Sequence, residues 1–192
     1  MKKKPRILDK KVIAKGKWLS INELDWQDPE ARIRIWETAE RVDSRGAVMI
    51  IPLVKQSDEL ILVKQFRPPA ARPVIEFPAG LIDPGETAAD TAVRELYEET
   101  GYHGKITEIS EPAYSSPGMS GETLIIVKMS IDAEHFSAGP PESCQDDGED
   151  IETLLVKRAE LKDFLKTQAE AGLGIDTKLL TYSYALQEED LI

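Results

Sequence analysis

The segment Gly80–Tyr102, GLIDPGETAADTAVRELYEETGY, constrains the fold more than any other because its hydrophobic period changes inside it. VIEFPAGLI, up to Ile82, reads as extended chain. From Thr87 onward, Ala89, Ala92, Val93, Leu96 and Thr100 fall on one face at helical spacing. Thr87 and Asp90 have the spacing of a capping box, and Gly101 suits the position just past a helix end. A strand therefore passes through the tight turn DPGE into a helix of about three to four turns.

That helix carries Glu95, Glu98 and Glu99 in a sector of about 100° beside the apolar stripe. Like charges so placed repel, and glycines near them cost chain entropy. A solvated charged face is the ordinary explanation of such a run. The flanking glycines, and Arg94 amid the glutamates, favour a divalent-cation site, which offsets both costs. Mg²⁺ takes hard oxygen ligands and keeps several waters, so two or three carboxylates with substrate phosphates make a suitable shell. Arg94 can orient one of the carboxylates from behind.

The whole chain is acidic, with 24 Lys and Arg against 35 Asp and Glu and a net charge of −11. That argues against general adhesion to nucleic acid or an anionic membrane, and means that a phosphate ligand needs metal ions to offset repulsion. At 192 residues and 41% hydrophobic, the chain can bury one sizeable core with a short extra lobe. Cys144 is the single cysteine, which excludes an internal disulfide and a Cys-based zinc site and points to a reducing, cytoplasmic setting. The basic start MKKKPRILDKK leads into no apolar run of signal length, and no segment reaches membrane-span length. The expectation is a protein neither secreted by that route nor anchored.

Residues 7–42 alternate in KVIAKGKWLSINELDW and ARIRIWETAERV around the turn QDPEA, predicting a hairpin or small N-terminal sheet with Trp18 and Trp36 on its arms. GAVMIIPLV and ELILVKQFR read as strands buried on both faces. ETLIIVKMSI and IETLLVKRA read as later strands, separated by the Gly, Pro and Asp-rich AGPPESCQDDGED, with ELKDFLKTQAEAG and TKLLTYSYALQEED as terminal helices. His103 and His135 have no companion at ligand spacing and enter no mechanism.

The glycine, glutamate and arginine positions together read G-x5-E-x7-R-E-L-x-E-E-x-G-Y, which resembles the complete Nudix box, with nine defining positions matched. The resemblance implies a Nudix hydrolase, an α/β/α sandwich with a mixed sheet, here with a small N-terminal antiparallel β-sheet. It divides the chain into an N-terminal lobe, 1–44, for dimerisation and base stacking, and a Nudix domain, 45–192. It implies cleavage of a diphosphate linked to another moiety. Glu95, Glu98 and Glu99 would bind two to three Mg²⁺ or Mn²⁺ ions, with Glu86 and the Ala79 or Gly80 carbonyl region assisting.

Pro117, sixteen residues past Gly101 and followed by Gly118, resembles the marker of the ADP-ribose pyrophosphatase subgroup. GKWLS, RIWETAERV, VKQFRPP and EFPAGLID are similar to that subgroup from about Lys15 to Tyr184. The likeness implies that Trp18 and Trp36 sandwich adenine, with Glu37 at the base edge, and that Arg41 and Arg67 meet the diphosphate or terminal ribose. Glu149 in QDDGEDIE, less surely Asp147, matches the loop carboxylate used as base or extra metal ligand, acting with Glu98 and Arg94. A carboxylate free of metal makes a better base than one already coordinated. Core packing is the ordinary role of a tryptophan, surface pairing of an arginine, and a flexible acidic loop of QDDGED.

The implied reaction is metal-dependent hydrolysis of ADP-ribose or ADP-sugars to AMP and ribose 5-phosphate by a homodimer whose adenine sites draw on both chains. Stacking tolerates any base, so a broad nucleoside diphosphate sugar pyrophosphatase is the nearest alternative. A triphosphate or dinucleotide hydrolase, a non-catalytic ADP-ribose sensor and a purely structural protein rank below it.

Overall fold

The computed structural model describes residues 3–132, 141, 143–145 and 150–188. It divides into two units. The first comprises Met1–Ala47 with Pro112–Leu124, and the second Val48–Glu111 with Ile125–Ile192.

The first unit holds an antiparallel sheet of β1 (Arg6–Lys15), β2 (Leu19–Gln27) and β3 (Ile33–Arg41), in that order. The first alternating arm is thus two strands. The chain folds back where the Gly16 N–H donates to the Leu19 carbonyl at 2.8 Å. The β2–β3 turn is held by the buried Asp28 carboxylate, which accepts the Glu30 and Arg32 backbone N–H groups at 3.0 and 2.9 Å and the Arg32 Nε at 2.7 Å. In the same unit β9 (Ala113–Tyr114) pairs with Thr123 and Leu124, and the loop between them bonds to β3.

The second unit is built on β4 (Ala47–Val54), β5 (Glu59–Arg67), β6 (Arg72–Glu76), β7 (Ala79–Leu81), β8 (Gly104–Ile109), β10 (Thr123–Ile131), β11 (Ile151–Lys157) and β12 (Gly174–Ile175). Its sheet order is β12-β6-β5-β4-β10-β8, with β11 on β5 and β7 on β4. The sheet is mixed, since β12 runs parallel to β6 while β5 runs antiparallel to β4, β6 and β11. β5 is the organising strand. One edge pairs with β11 over its first seven residues, while the other pairs with β4 at Glu59 and Leu60 and with β6 from Val63 to Arg67. The register sets Arg67 opposite Arg72 and Glu76 opposite Val63 on one face of the sheet, and the two side chains reach along that face to meet.

Three helices cover the sheet: α1 (Ala88–Thr100), α2 (Leu161–Glu170) and α3 (Thr177–Glu188). Strand alternation splits β4 between two layers. Val48 and Ile50 join Ala92 and Leu96 of α1 in one core cluster. Ile51 and Leu53 face Tyr182, Ala185 and Leu186 of α3. The α/β/α sandwich expected of the sequence is what forms. Burial of a side chain such as Leu96, which is fully enclosed, contributes about 1.5–3 kcal/mol. No helix among the described residues is long and apolar enough to cross a membrane.

Candidate active site

The helix carrying the glutamates begins and ends as the sequence implies. Thr87 Oγ1 accepts the Asp90 N–H at 3.2 Å and the Asp90 carboxylate accepts the Thr87 N–H at 3.1 Å, while Gly101 takes the left-handed conformation at φ 73°. These contacts fix the rotation of α1, and so direct which of its side chains meet β7.

Arg94 organises the acidic cluster. Its Nε and Nη2 each donate to Glu86 at 2.9 Å, its Nη1 donates to Glu95 and to Glu98 at 2.9 Å, and its Nη2 reaches the Leu81 carbonyl at 3.3 Å. Thr91 Oγ1 donates to Glu86 at 2.8 Å. The Arg94 and Thr91 hydrogen bonds draw the Glu86 carboxyl down to about 2, and the same contacts with Glu86 hold the guanidinium well above its ordinary value. Glu99, on the neighbouring face of the helix, is only 5% exposed, and its Oε2 accepts the Ala79 N–H at 3.1 Å. Gly80 is required by contact: a Cβ there would lie 1.8 Å from Glu95 Oε1. The missing side chain is the space that Glu95 uses.

Arg67 and Glu76 form a two-point pair, Nε to Oε1 at 2.6 Å and Nη2 to Oε2 at 3.1 Å. Burial alone would lower the Arg67 pKa, but its bonds and charge attraction to Glu76, with the charges of Glu99 and Asp176 beyond, outweigh burial and raise it.

In the first unit Trp18 and Trp36 are 70% and 49% exposed, so neither is core packing. Trp36 Nε1 donates to the Gly118 carbonyl at 3.1 Å, and the neighbouring Thr38 Oγ1 donates to the Met119 carbonyl at 2.8 Å. Pro117 lies in the turn closed by the Met119 and Ser120 N–H groups on the Ser116 carbonyl, both at 2.9 Å. Arg41 Nε donates to Glu122 at 2.7 Å at the wall of a polar cleft of about 390 Å³ that also includes Arg45 and Ser120. Strand alternation turns Glu37 to the face opposite Trp36, so the structure does not bring those two side chains together within one chain.

The Nudix domain pattern matches residues 43–173, more than half of the chain and all of the box. The chain belongs to the Nudix hydrolase family. It is 34% identical over 189 residues to the ADP-sugar pyrophosphatase of Mus musculus, covering 94% of this chain and 87% of that one. It is 35% identical over 183 residues to the ADP-ribose pyrophosphatase of Bacillus subtilis, covering 94% and 92%. A crystal structure of an ADP compounds hydrolase superposes with a TM-score of 0.72 over 98% of this chain and 95% of that one, at 24% identity, which supports the fold.

Nudix hydrolases of this kind are metal-dependent. The donor set fits a hard cation, with carboxylate oxygens on one helix face and Glu95 seated in the space that Gly80 leaves. Among the described residues no three acidic, His or Cys side chains already form a coordination cage. Arg94 Nη1 lies between the Glu95 and Glu98 carboxylates and donates to both.

Glu149 and Asp147, the loop carboxylates expected from the sequence, lie outside the described residues, as does His135. His103 is exposed and stacks on Tyr97 with ring centroids 4.4 Å apart. Sequence reasoning passed over Glu76 and Thr91. The signal for Glu76 was available as one carboxylate inside the apolar run VIEFP.

Proposed function

We propose that this Nudix hydrolase cleaves the diphosphate of ADP-ribose and related ADP-sugars, with water, to AMP and a sugar phosphate such as ribose 5-phosphate. The observation that carries the reading is the carboxylate cluster gathered by Arg94 against a backbone opened by Gly80. The full-length similarity to proteins named for ADP-sugar and ADP-ribose hydrolysis supports the substrate class.

Glu95, Glu98, Glu99 and the Ala79 carbonyl are assigned as holders of two to three Mg²⁺ or Mn²⁺ ions, which when bound neutralise diphosphate charge and polarise water. Arg94 keeps Glu95 and Glu98 oriented before loading. Arg67 offers its guanidinium to phosphate oxygens. Glu149, or else Asp147, is assigned as the proton acceptor. Trp18 and Trp36 supply stacking surfaces for adenine, each worth about 1–3 kcal/mol.

Within one chain those two indoles do not form a sandwich. Trp36 lies opposite Leu24, while the Trp18 carbonyl accepts the Val42 N–H just past β3, six residues beyond Trp36 or about 20 Å away. On the other face of the same strands Leu19, Ile21, Ile33 and Ile35 are 39–65% exposed. A second copy covering that stripe accounts for its exposure, and the pairing of indoles from two chains that the family resemblance implies is assigned to that dimer. Glu37, on the stripe's side, and Arg41 are placed with that arrangement. Ile35→Glu is expected to convert a dimer to a monomer in sedimentation and to raise KM for ADP-ribose at least about tenfold, the scale of a lost stacking partner. A fully active monomer would show that each chain's site is complete.

The direct test is AMP release from ADP-ribose and ADP-glucose, and nucleotide release from GDP-mannose and nucleoside triphosphates, with and without Mg²⁺. The expected result is metal-dependent preference for the ADP-sugars. Equal turnover of GDP-mannose would move the assignment to a broad nucleoside diphosphate sugar pyrophosphatase, and metal-dependent binding without turnover would make the protein a sensor. A cytoplasmic setting, proposed from the single exposed Cys144, fits these substrates.

A further inference from the structure

Glu76 stands at the end of β6, 14% exposed at its side chain, and engages Arg67 through both carboxylate oxygens. The donors it consumes are Nε and one N–H of Nη2. A guanidinium has five N–H groups in a fixed plane, so the Nη1 and remaining Nη2 hydrogens stay parallel along the outer edge. That edge is the one suited to two oxygens of a phosphate, and the Arg67 side chain is 42% exposed.

The surroundings supply a reason for the pairing. In the β5–β6 register Arg67 lies directly opposite Arg72, and like charges so placed destabilise a sheet. Glu76 is also tied to the acidic cluster along the chain. Three residues on, the Ala79 N–H donates to Glu99, while the Pro78 carbonyl is fixed by the Ile50 N–H at 2.8 Å. On the other side the Asp176 N–H, just before α3, bonds to the Ile75 carbonyl at 3.0 Å. The backbone on both sides of Glu76 is therefore pinned, and its carboxylate forms a stationary mount.

We infer that Glu76 is a positioning residue: it clamps the inner edge of Arg67 so that the outer edge is presented to the substrate diphosphate. The inference rests on the reading of this site as a diphosphate hydrolase. A carboxylate that was merely near the diphosphate would repel it, so its neutralisation would lower KM. A positioning carboxylate gives the opposite sign.

The experiment compares ADP-ribose kinetics at saturating Mg²⁺ for wild type, Glu76→Gln, Glu76→Ala, Arg67→Ala and the Glu76→Ala, Arg67→Ala double variant. Melting temperatures confirm that each variant is folded. Glu76→Gln is expected to raise KM roughly 10- to 100-fold, the scale of a lost orienting contact, with a smaller change in kcat. In the double variant the Glu76 change should add nothing to the Arg67 loss, because one acts through the other. Nitrogen-15 NMR gives a readout independent of turnover: the Arg67 Nε–H should give a protected signal in wild type that is lost in Glu76→Ala and weakened in Glu76→Gln, whose amide oxygen can accept only one of the two bonds. A lowered KM in Glu76→Gln, independent effects that multiply in the double variant, or an unchanged Nε–H signal would overturn the inference. Absence of AMP release by wild type would instead overturn the functional reading, and the NMR comparison would still decide whether Glu76 holds Arg67.

Discussion

Glu99→Gln is expected to lower kcat/KM for ADP-ribose by roughly 10²- to 10³-fold, the scale of removing one charge-stabilising group from a preorganised site. The variant isolates charge from shape. Glu99 is nearly enclosed, and its Oε2 accepts the Ala79 N–H at 3.1 Å, a bond that an amide oxygen can also accept. The connection between α1 and the strand ahead of it should therefore survive. What is lost is one negative charge and one hard-oxygen ligand, so the fall should be steepest at low Mg²⁺ and only partly recovered at high Mg²⁺. The measurement is AMP release across a Mg²⁺ titration, paired with melting curves in chelator. A folded Glu99→Gln protein with wild-type turnover at every Mg²⁺ concentration would remove Glu99 from the metal assignment.

The turn and helix of the central strand-turn-helix were legible in the sequence because their signals are local. Thr87, Asp90 and Gly101 mark the helix ends through contacts spanning a few residues, and Ala92 and Leu96 mark the buried face through period alone. β4 and β5 were legible as unbroken apolar runs. β8 and β12 were not. β8 lies at the sheet edge with most of its residues exposed, so GKITEI carries little apolar pattern, and Gly174–Ile175 is held as a strand only by its pairing with β6. The break of VIEFPAGLI into β6 and β7 depends on Pro78, whose carbonyl is taken by the Ile50 N–H.

The site shows the same division. The Glu95, Glu98 and Arg94 association follows from helix spacing and was readable. The two-point hold of Arg67 by Glu76 depends on the β5–β6 register, which no local pattern specifies. The exposure of Trp18 and Trp36 was legible only through resemblance, since an isolated tryptophan in an alternating segment is ordinarily buried.

Arg94→Ala is expected to lower the melting temperature in chelator by on the order of 5–10 °C, and to narrow that deficit when Mg²⁺ is added. The guanidinium serves three carboxylates at 2.9 Å, and its removal leaves Glu86, Glu95 and Glu98 facing one another without it. A divalent cation replaces the missing positive charge, so Mg²⁺ should raise the melting temperature of the variant more than that of wild type. The pH dependence follows from Glu86. Its carboxyl is drawn from an ordinary 4.5 to about 2, first by the Arg94 bonds and then by Thr91. A carboxyl lowered on folding adds stability that is fully present above pH 4.5 and is lost as pH falls toward 2. Without Arg94 the main cause of that lowering is gone, so the gap between wild type and variant should be widest near neutrality and close across this acidic window. Melting curves in chelator from pH 7 down to 2 test this. Parallel curves throughout would mean that Arg94 does not set the Glu86 titration, and an Mg²⁺ effect no larger in the variant would mean that guanidinium and cation do not balance the same carboxylates.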